Sequence, residues 1–348
     1  MSLTITLSPH TVIRPEPGGA LLFQQEEAET ALLDLDGLDA LYFLLRGELR
    51  DYPPFFVAYL RRHRFVVESP PDGSLERVAQ VRDAAPTTVA PPHALAAPET
   101  IHFSVTGRCD QACAGCFYSA RPGSAVTATD APFDLFERVV RQASDARVFQ
   151  MALGGGEPLL HPRITDMIAY CHERGLHSEI STNATLLDER MSREILRAGL
   201  GTIYLCMDGV TKETYEKVRR HGDFEATKEN ILRFLRMKTA SSDPTPEVKL
   251  QLIEIAPTAA EIEEFKELWH VPGVDRINIK AFDSWGGQIE EISQLRTDDR
   301  QVNIARFPCP NLWYHVHIYW DGTLVRCDRD FDAVAPLGNV ANLSLIHI

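Results

Sequence analysis

The sequence predicts an α/β protein built around a parallel sheet, because strand-like and helix-like segments alternate from about residue 100 onward. The strand-like segments are 101–106, 147–153, 177–182, 202–207, 247–255 and 274–280. Strands separated by helices pair in parallel, and right-handed crossovers curve such a sheet into a full or partial (β/α)6 TIM-like barrel. The functional residues of these barrels lie at the carboxyl ends of the strands, so we expect them on the loops after these segments.

The segments between the strands have the period of amphipathic helices. Ile164, Met167, Ile168 and Cys171 recur at i, i+3, i+4 and i+7, which predicts one buried helical face. Cys171 is therefore expected to be a core residue rather than a ligand.

Residues 1–70 predict a small separate domain of winged-helix-like type. Two β-like runs, 11–14 and 20–23, flank the Pro-Gly-Gly sequence at 17–19, which indicates a hairpin. A leucine-rich stretch from Leu32 to Leu45 follows and is predicted to be helical.

The remaining boundaries follow from composition. Residues 71–99 are rich in proline and alanine, which predicts an extended linker with little buried surface. The α/β core is assigned to residues 100–290, and a last segment to residues 300–348.

Charge and targeting signals exclude several classes of protein. The 348 residues carry a formal net charge of −14, which repels phosphate backbones, so nucleic acid is not an expected partner. The start of the chain has neither the basic nor the apolar region of a signal peptide, and no apolar stretch is long enough for a membrane span. A cytoplasmic protein without a membrane partner is expected.

Three of the seven cysteines, Cys109, Cys113 and Cys116, lie within eight residues directly after the first strand of the core. Three thiolates on one loop can hold three irons of a 4Fe–4S cluster and leave the fourth iron open to another ligand. Zinc is the alternative, although a structural zinc site needs four ligands and usually takes them in pairs.

This cysteine spacing matches the signature of the radical SAM superfamily, whose members bind S-adenosylmethionine (SAM). The second strand ends in Gly-Gly-Gly-Glu-Pro at 154–158, which resembles the family's glycine–glycine–glutamate–proline motif. The third ends in Ser-Thr-Asn-Ala at 181–184, with Ala184 where the family usually has glycine. The SAM-binding residues that the resemblance implies are Gly155, Gly156, Glu157, Pro158, Ser181, Thr182, Asn183 and Asp208.

The resemblance also implies a mechanism. A reduced 4Fe–4S cluster cleaves SAM, and the resulting 5′-deoxyadenosyl radical takes a hydrogen atom from the substrate. No catalytic side chain beyond the cluster ligands is expected, because the cofactors carry the chemistry. A low-potential electron donor such as ferredoxin or flavodoxin is implied as a partner.

The C-terminal segment resembles the opening part of a SPASM or twitch domain, which houses auxiliary iron–sulfur clusters in peptide-modifying relatives. Cys309 and Cys327 are the two auxiliary-cluster ligands that this resemblance implies, and 316–325 reads as a hairpin with an Asp-Gly turn. The relatives place further cysteines beyond this point, so an incomplete cluster and a truncated chain are expected.

Residues 1–70 are similar to the RiPP recognition element (PqqD-like), the small domain that binds leader peptides of ribosomally made natural products. Together the resemblances imply a radical SAM maturase whose partner is a precursor peptide. Two alternatives stay open: a radical SAM enzyme of small-molecule, haem-type cofactor biosynthesis, and a non-catalytic peptide-binding protein with a structural metal site.

Overall fold

A computed structural model describes most of the chain in two compact units, Met1–Ala97 and Pro98–Ile348. The described residues are 4–16, 19–24, 29–47, 57, 60–70, 72–84, 97–120, 129–241, 245–297 and 314–343. Among them, no helix combines the length and the apolar character that a membrane crossing requires.

The described residues of the first unit include five strands and two helices. They are β1 (Thr4–Leu7), β2 (Thr11–Glu16), β3 (Gly19–Gln24), β4 (Glu29–Asp34), α1 (Leu35–Leu45), β5 (Val66–Ser69) and α2 (Ser74–Ala84). Strands β2, β3 and β4 form an antiparallel sheet in that order, and β1 pairs with β5. The predicted hairpin is confirmed, with Val12 opposite Phe23.

Two features of this unit differ from the sequence prediction. Leu32 and Leu33 belong to strand β4, and helix α1 begins only at Leu35. Ala31 and Leu33 are both buried, which is the two-residue period of a strand and not a helical period.

The second difference concerns the predicted linker at 71–99, which is wrong for its first half because α2 lies there. Val78 and Val81 of α2 are buried in the same core as Leu7, Leu38 and Phe65. Their spacing places both side chains on one helical face, and that apolar face outweighs the proline-rich surroundings.

The second unit begins with six β-α segments and ends with a small antiparallel extension. Its strands are β6 (Thr100–Thr106), β7 (Gln150–Gly155), β8 (His177–Thr182), β9 (Thr202–Cys206), β10 (Glu247–Ile253), β11 (Arg276–Lys280), β12 (His315–Ile318), β13 (Thr323–Val325) and β14 (Gly338–Asn339). Its helices are α3 (Phe117–Ala120), α4 (Phe133–Asp145), α5 (Ile164–Glu173), α6 (Glu189–Ala198), α7 (Lys212–Val218), α8 (Phe224–Thr239), α9 (Ile262–Leu268) and α10 (Glu290–Ser293).

Strands β6 to β11 are parallel neighbours in chain order, so the predicted parallel α/β sheet is confirmed. Helix α5 buries Ile164, Met167, Ile168 and Cys171, as its sequence period predicts. The parallel order brings the carboxyl ends of β6, β7, β8 and β9 to one edge of the sheet, where the loops carrying the motifs begin.

The C-terminal extension lies on the other side of β6. Strand β12 pairs with β6 in parallel and forms the predicted hairpin with β13, with Gly322 in the left-handed region (φ 84°) at its turn. Cys309 lies outside the described residues, and Cys327 follows β13 in a partly buried position. The auxiliary-cluster prediction and the SPASM assignment of this segment therefore stay predictions.

Candidate functional site

The three clustered cysteines lie on a loop that leaves the carboxyl end of β6. Backbone hydrogen bonds fix this loop against the end of α7: the Ala114 amide donates to the Val218 carbonyl at 2.7 Å, and the Ala112 amide donates to the Arg220 carbonyl at 3.0 Å. Cys109 is exposed, whereas Cys113 and Cys116 are partly buried. The sequence-predicted ligands are thus gathered on one anchored loop.

The surroundings of these thiols matter because only thiolates bind iron. Burial raises the pKa of the Cys113 thiol to about 11, and the nearby Arg219 guanidinium acts in the opposite direction. Iron bound here would have to displace protons from these sulfurs, and a fixed positive charge favours the deprotonated form. Three soft sulfur donors on one loop are a donor set that suits an iron–sulfur cluster.

The glycine-rich end of β7 packs directly against the start of the cysteine loop. The Gly156 amide donates to the Thr106 carbonyl and the Glu157 amide to the Arg108 carbonyl, both at 2.8 Å. A Cβ on Gly155 would lie 2.2 Å from the Thr106 carbonyl oxygen, and one on Gly156 would lie 2.0 Å from that of Arg108. Both positions therefore require glycine because two backbones meet there.

Glu157 links the end of β7 to the end of β8. Its Oε1 accepts hydrogen bonds from the Leu159 amide at 3.0 Å and the Thr182 hydroxyl at 2.7 Å, and its Oε2 accepts from the Asn183 amide at 2.7 Å. Burial raises the pKa of Glu157 to about 7, although these hydrogen bonds lower it. Pro158 starts the short 3-10 turn Pro158–Leu160 that follows.

The turn after β8 closes onto the cysteine loop. The Asn183 side-chain amide donates to Asp110 Oδ1 at 2.7 Å, and Asn183 Oδ1 accepts from the Thr185 amide at 2.9 Å. Ala184 adopts a left-handed conformation (φ 60°), which explains why a glycine is usual there and shows that the turn forms without one. Ser181 Oγ lies 3.2 Å from Cys206 Sγ at the end of β9.

Asp208 forms a buried ion pair with Arg219, a residue that the sequence analysis missed. Asp208 Oδ2 accepts from Arg219 Nε at 2.9 Å and lies 2.7 Å from Nη2, while Oδ1 accepts from the Ile253 amide at 2.7 Å. Arg219 Nη1 also lies 3.3 Å from Gln111 Oε1 and 3.9 Å from Cys113 Sγ. Asp208 therefore orients a guanidinium toward the cysteine loop.

A cavity of about 440 Å³ lies on the inner face of the parallel sheet. Alternate residues line it on β8 (Glu179 and Ser181) and on β11 (Asn278 and Lys280), which is the two-residue period of side chains on one face. Its polar lining comes mainly from His102, Ser104, Glu179, Ser181, Tyr204, Gln251, Asn278, Lys280, His317 and Asp328. Gly154 and Gly155 also border it, so the cavity reaches the glycine-rich end of β7.

Titratable groups in and beside this cavity have shifted pKa values. Burial raises the pKa of Glu179 to about 7, with Lys249 opposing and Glu247 adding to the shift. Burial also lowers the pKa of His317 to about 3, and it holds the pKa values of His102 and His315 below the usual range. The imidazoles are therefore neutral near pH 7.

A loop of three thiols at the carboxyl edge of a parallel α/β sheet, packed against a glycine-rich strand end that borders a cavity, points to an iron–sulfur protein of the barrel type. Comparison with known families agrees, because residues 103–245 match the family described as the Radical SAM superfamily. The chain thus contains a radical SAM domain at these residues, and the superfamily that the domain matches implies a 4Fe–4S cluster and SAM.

Curated relatives match part of the chain. A tungsten-containing aldehyde ferredoxin oxidoreductase cofactor-modifying protein of Pyrococcus furiosus is 26% identical over 180 residues, which cover 50% of this chain and 49% of that protein. Mycofactocin maturase MftC of Mycobacterium ulcerans is 22% identical over 263 residues, covering 74% and 64%. The chain spans about half the length of the first of these relatives.

Solved structures match almost the whole chain in fold. The crystal structure of Streptococcus suis SuiB bound to S-adenosylmethionine has a TM-score of 0.65 at 17% identity and covers 98% of this chain and 87% of that one. The structure of SuiB bound to the precursor peptide SuiA has a TM-score of 0.66 at 14% identity, with coverages of 99% and 88%. At these identities the likeness establishes the fold.

Proposed function

We propose that this protein is a peptide maturase, a radical SAM enzyme that modifies a ribosomally made precursor peptide. The observation that carries the proposal is that the fold likeness to SuiB extends over 98% of the chain and so includes the first unit. SuiB has been crystallised with a precursor peptide, and MftC, itself named a maturase, also matches 74% of this chain.

In this proposal Cys109, Cys113 and Cys116 hold the 4Fe–4S cluster. Bound there, the cluster and SAM would supply radical chemistry that removes a hydrogen atom from the substrate. The role of the protein residues is to anchor the cysteine loop and to set the charge around its sulfurs. The Val218 and Arg220 carbonyls fix the cysteine loop, and the Arg219 guanidinium stabilises the sulfur charge of Cys113.

The SAM-binding surface proposed here is the edge formed by the ends of β7, β8 and β9. Gly155, Gly156, Pro158, Ser181 and Thr182 border that edge through backbone or side chain. Glu157, Asn183 and Asp208 are included in the proposed SAM site, and their contacts support a role in positioning that edge and the cysteine loop.

The cavity beside that edge is the proposed place for the peptide residue that is modified. Its walls come from the inner face of the sheet, so a residue bound there lies against protein on one side. Its lining includes hydroxyl, amide, carboxylate and imidazole groups, which can form hydrogen bonds with the backbone of a peptide beside the modified side chain.

The proposed peptide-binding module is the N-terminal domain, residues 1–70. Its three-stranded sheet has β2 and β4 at its two edges, and an extended leader peptide binds such an edge by adding a strand. A leader held on the same chain as the cavity raises the local concentration of the core peptide there. The proposal also includes a low-potential donor such as ferredoxin or flavodoxin and a partial SPASM segment at 300–348.

The first test measures SAM cleavage after anaerobic reconstitution with iron, sulfide and a strong reductant. We expect 5′-deoxyadenosine by mass spectrometry from the full chain and none from Cys113→Ala. The matched control is Cys171→Ala, because Cys171 is a buried helix residue outside the loop and its substitution leaves the cluster in place. Equal loss in both variants would refute the assignment of the cysteine loop.

The second test separates the peptide substrate from the cofactor alternative that the Pyrococcus relative's name favours. A variant that lacks residues 1–97 should retain uncoupled SAM cleavage, which also shows that the second unit folds, and should lose modification of a leader-containing peptide. SAM cleavage stimulated by a small molecule, with no response to any peptide, would favour cofactor biosynthesis. Peptide binding without 5′-deoxyadenosine would favour the non-catalytic alternative.

A further inference from the structure

Three histidines gather where β6 meets β12, on the inner face of the second unit. His317 is the register partner of His102, and His315 lies two residues earlier on β12, so all three belong to one face of the sheet. One ring nitrogen from each of the three lies within 4.8 Å of the others. His102 and His317 also line the cavity, so this cluster borders solvent-accessible space.

The spacing of the ring nitrogens is close to that of a metal site. His102 Nε2 and His315 Nδ1 are 3.4 Å apart. Two imidazole nitrogens bound to one tetrahedral zinc lie about 3.3 Å apart, since each zinc–nitrogen bond is about 2.0 Å long. The pair from the two strands therefore already has the separation that coordination requires.

The third ring needs a small adjustment. The rings of His102 and His317 are stacked, with centroids 4.2 Å apart and planes 5° from parallel. A metal lies in the plane of each imidazole that binds it, so the His317 ring must turn to share an ion with His102. The adjoining cavity gives it room to turn.

We propose that His102, His315 and His317 bind one divalent transition-metal ion, zinc in the first instance, with a further coordination position open to the cavity. Imidazole nitrogens suit zinc and its first-row neighbours. Three protein ligands with an open position are typical of zinc sites that bind a substrate, whereas structural zinc sites use four. Asp328 lines the same cavity and adds negative charge beside the ion.

The ion would take an oxygen, nitrogen or sulfur donor of the substrate into its open position. It would thereby fix which part of the substrate enters the cavity. This site is separate from the cysteine loop in both its ligands and its preferred donor atoms. Metal binding can therefore be tested whether or not the proposed peptide modification is correct.

The test is zinc K-edge X-ray absorption on the reconstituted full chain after addition of one equivalent of zinc. This measurement is specific for zinc and is unaffected by iron in the cluster. We expect one zinc per chain, with nitrogen neighbours at about 2.0 Å and the outer-shell scattering of three imidazoles. Sulfur neighbours at about 2.3 Å would show zinc on the cysteines, and would overturn the proposal.

Single substitutions locate the site. His102→Gln, His315→Gln and His317→Asn should each weaken zinc affinity, measured against a competing chelator, by more than about 100-fold, since even outer-shell changes cost 10–100-fold. The matched control is His172→Gln, an exposed histidine on α5 whose loss should leave affinity unchanged. Circular dichroism and iron content identify any variant that misfolds, and the remaining two then decide.

Stoichiometric zinc that survives all folded variants would refute the assignment of ligands. Failure of the full chain to bind zinc at micromolar concentration would instead favour a hydrogen-bonded His102–His315 pair with a stacked third ring. Either result would overturn the proposal.

Discussion

Neutralising Asp208 is the most informative perturbation, because its partner is buried beside the cysteine loop. In Asp208→Asn the side chain keeps its shape and its Oδ1 acceptor for the Ile253 amide, but it loses its charge. The Arg219 guanidinium, whose side chain is 9% exposed against 2% for Asp208, is then left without its carboxylate.

The size of the effect follows from this burial. Removing one partner of a buried ion pair typically lowers the free energy of unfolding by about 3–5 kcal/mol, because the remaining charge stays buried away from water without a counter-charge. Replacing both partners is far less costly. We therefore expect Asp208→Asn to lower the free energy of unfolding by about 3 kcal/mol or more. The double variant with Arg219→Met should lie closer to the original protein than the single variant does.

The assay is urea unfolding followed by circular dichroism, with hydrogen exchange of the Ile253 amide as a local measure of the same change. The control is Glu229→Gln, whose ion pair with Arg236 has side chains 59% and 64% exposed and should contribute only about 0–1 kcal/mol. If Asp208→Asn cost no more than this control, or if the double variant were worse than the single one, the reasoning from burial would be refuted.

Three further predictions concern the site and its surroundings. Gly156→Ala should lower the free energy of unfolding by about 1–3 kcal/mol and remove most of the bound iron, because its Cβ would meet the Arg108 carbonyl. The control is Gly154→Ala, since a Cβ there would meet no atom of the described residues within 4 Å. The iron content of the two variants is the measurement. Glu179 has a folded-state pKa of about 7 against an ordinary 4.5, so the folded state holds the proton more tightly and the free energy of unfolding should fall as pH rises from about 4.5 to 7. Urea midpoints at pH 5 and pH 8 should therefore differ less in Glu179→Gln than in the original chain. Ala184→Gly relieves the backbone strain of a left-handed residue but removes a buried methyl group. Its free energy of unfolding, measured by thermal unfolding, should therefore lie within about 1 kcal/mol of the original value. A much larger loss of stability would contradict the turn geometry.

The features that sequence predicts well are those with a strong local period. Six core strands appear close to their predicted positions, because short apolar runs alternate with amphipathic helices over the whole region. Cys171 is buried on α5, as the spacing of its apolar neighbours indicates. The cysteine loop follows β6 for the same reason, since its position depends only on where that strand ends.

Local sequence pattern did not predict the features that depend on tertiary contacts. Helix α2 forms inside a proline- and alanine-rich stretch because Val78 and Val81 complete the core of the first unit. Arg219 was missed because a buried arginine looks like any surface arginine until its partners are known. Those partners, Asp208 and Cys113, lie 11 and 106 residues away along the chain.

The contact between the glycines of β7 and the cysteine loop has a consequence for how related sequences should be interpreted. Gly155 and Gly156 are fixed by a crossing of two backbone segments, so a descendant that lost its cofactor but kept this loop would still need both. Their presence in a distant homologue is therefore evidence of inherited architecture. Gly154 borders the cavity, and a Cβ there would meet no atom of the described residues within 4 Å. A substitution at this position is therefore tolerated by the fold, and it indicates a change of ligand better than a substitution at Gly155 or Gly156 does.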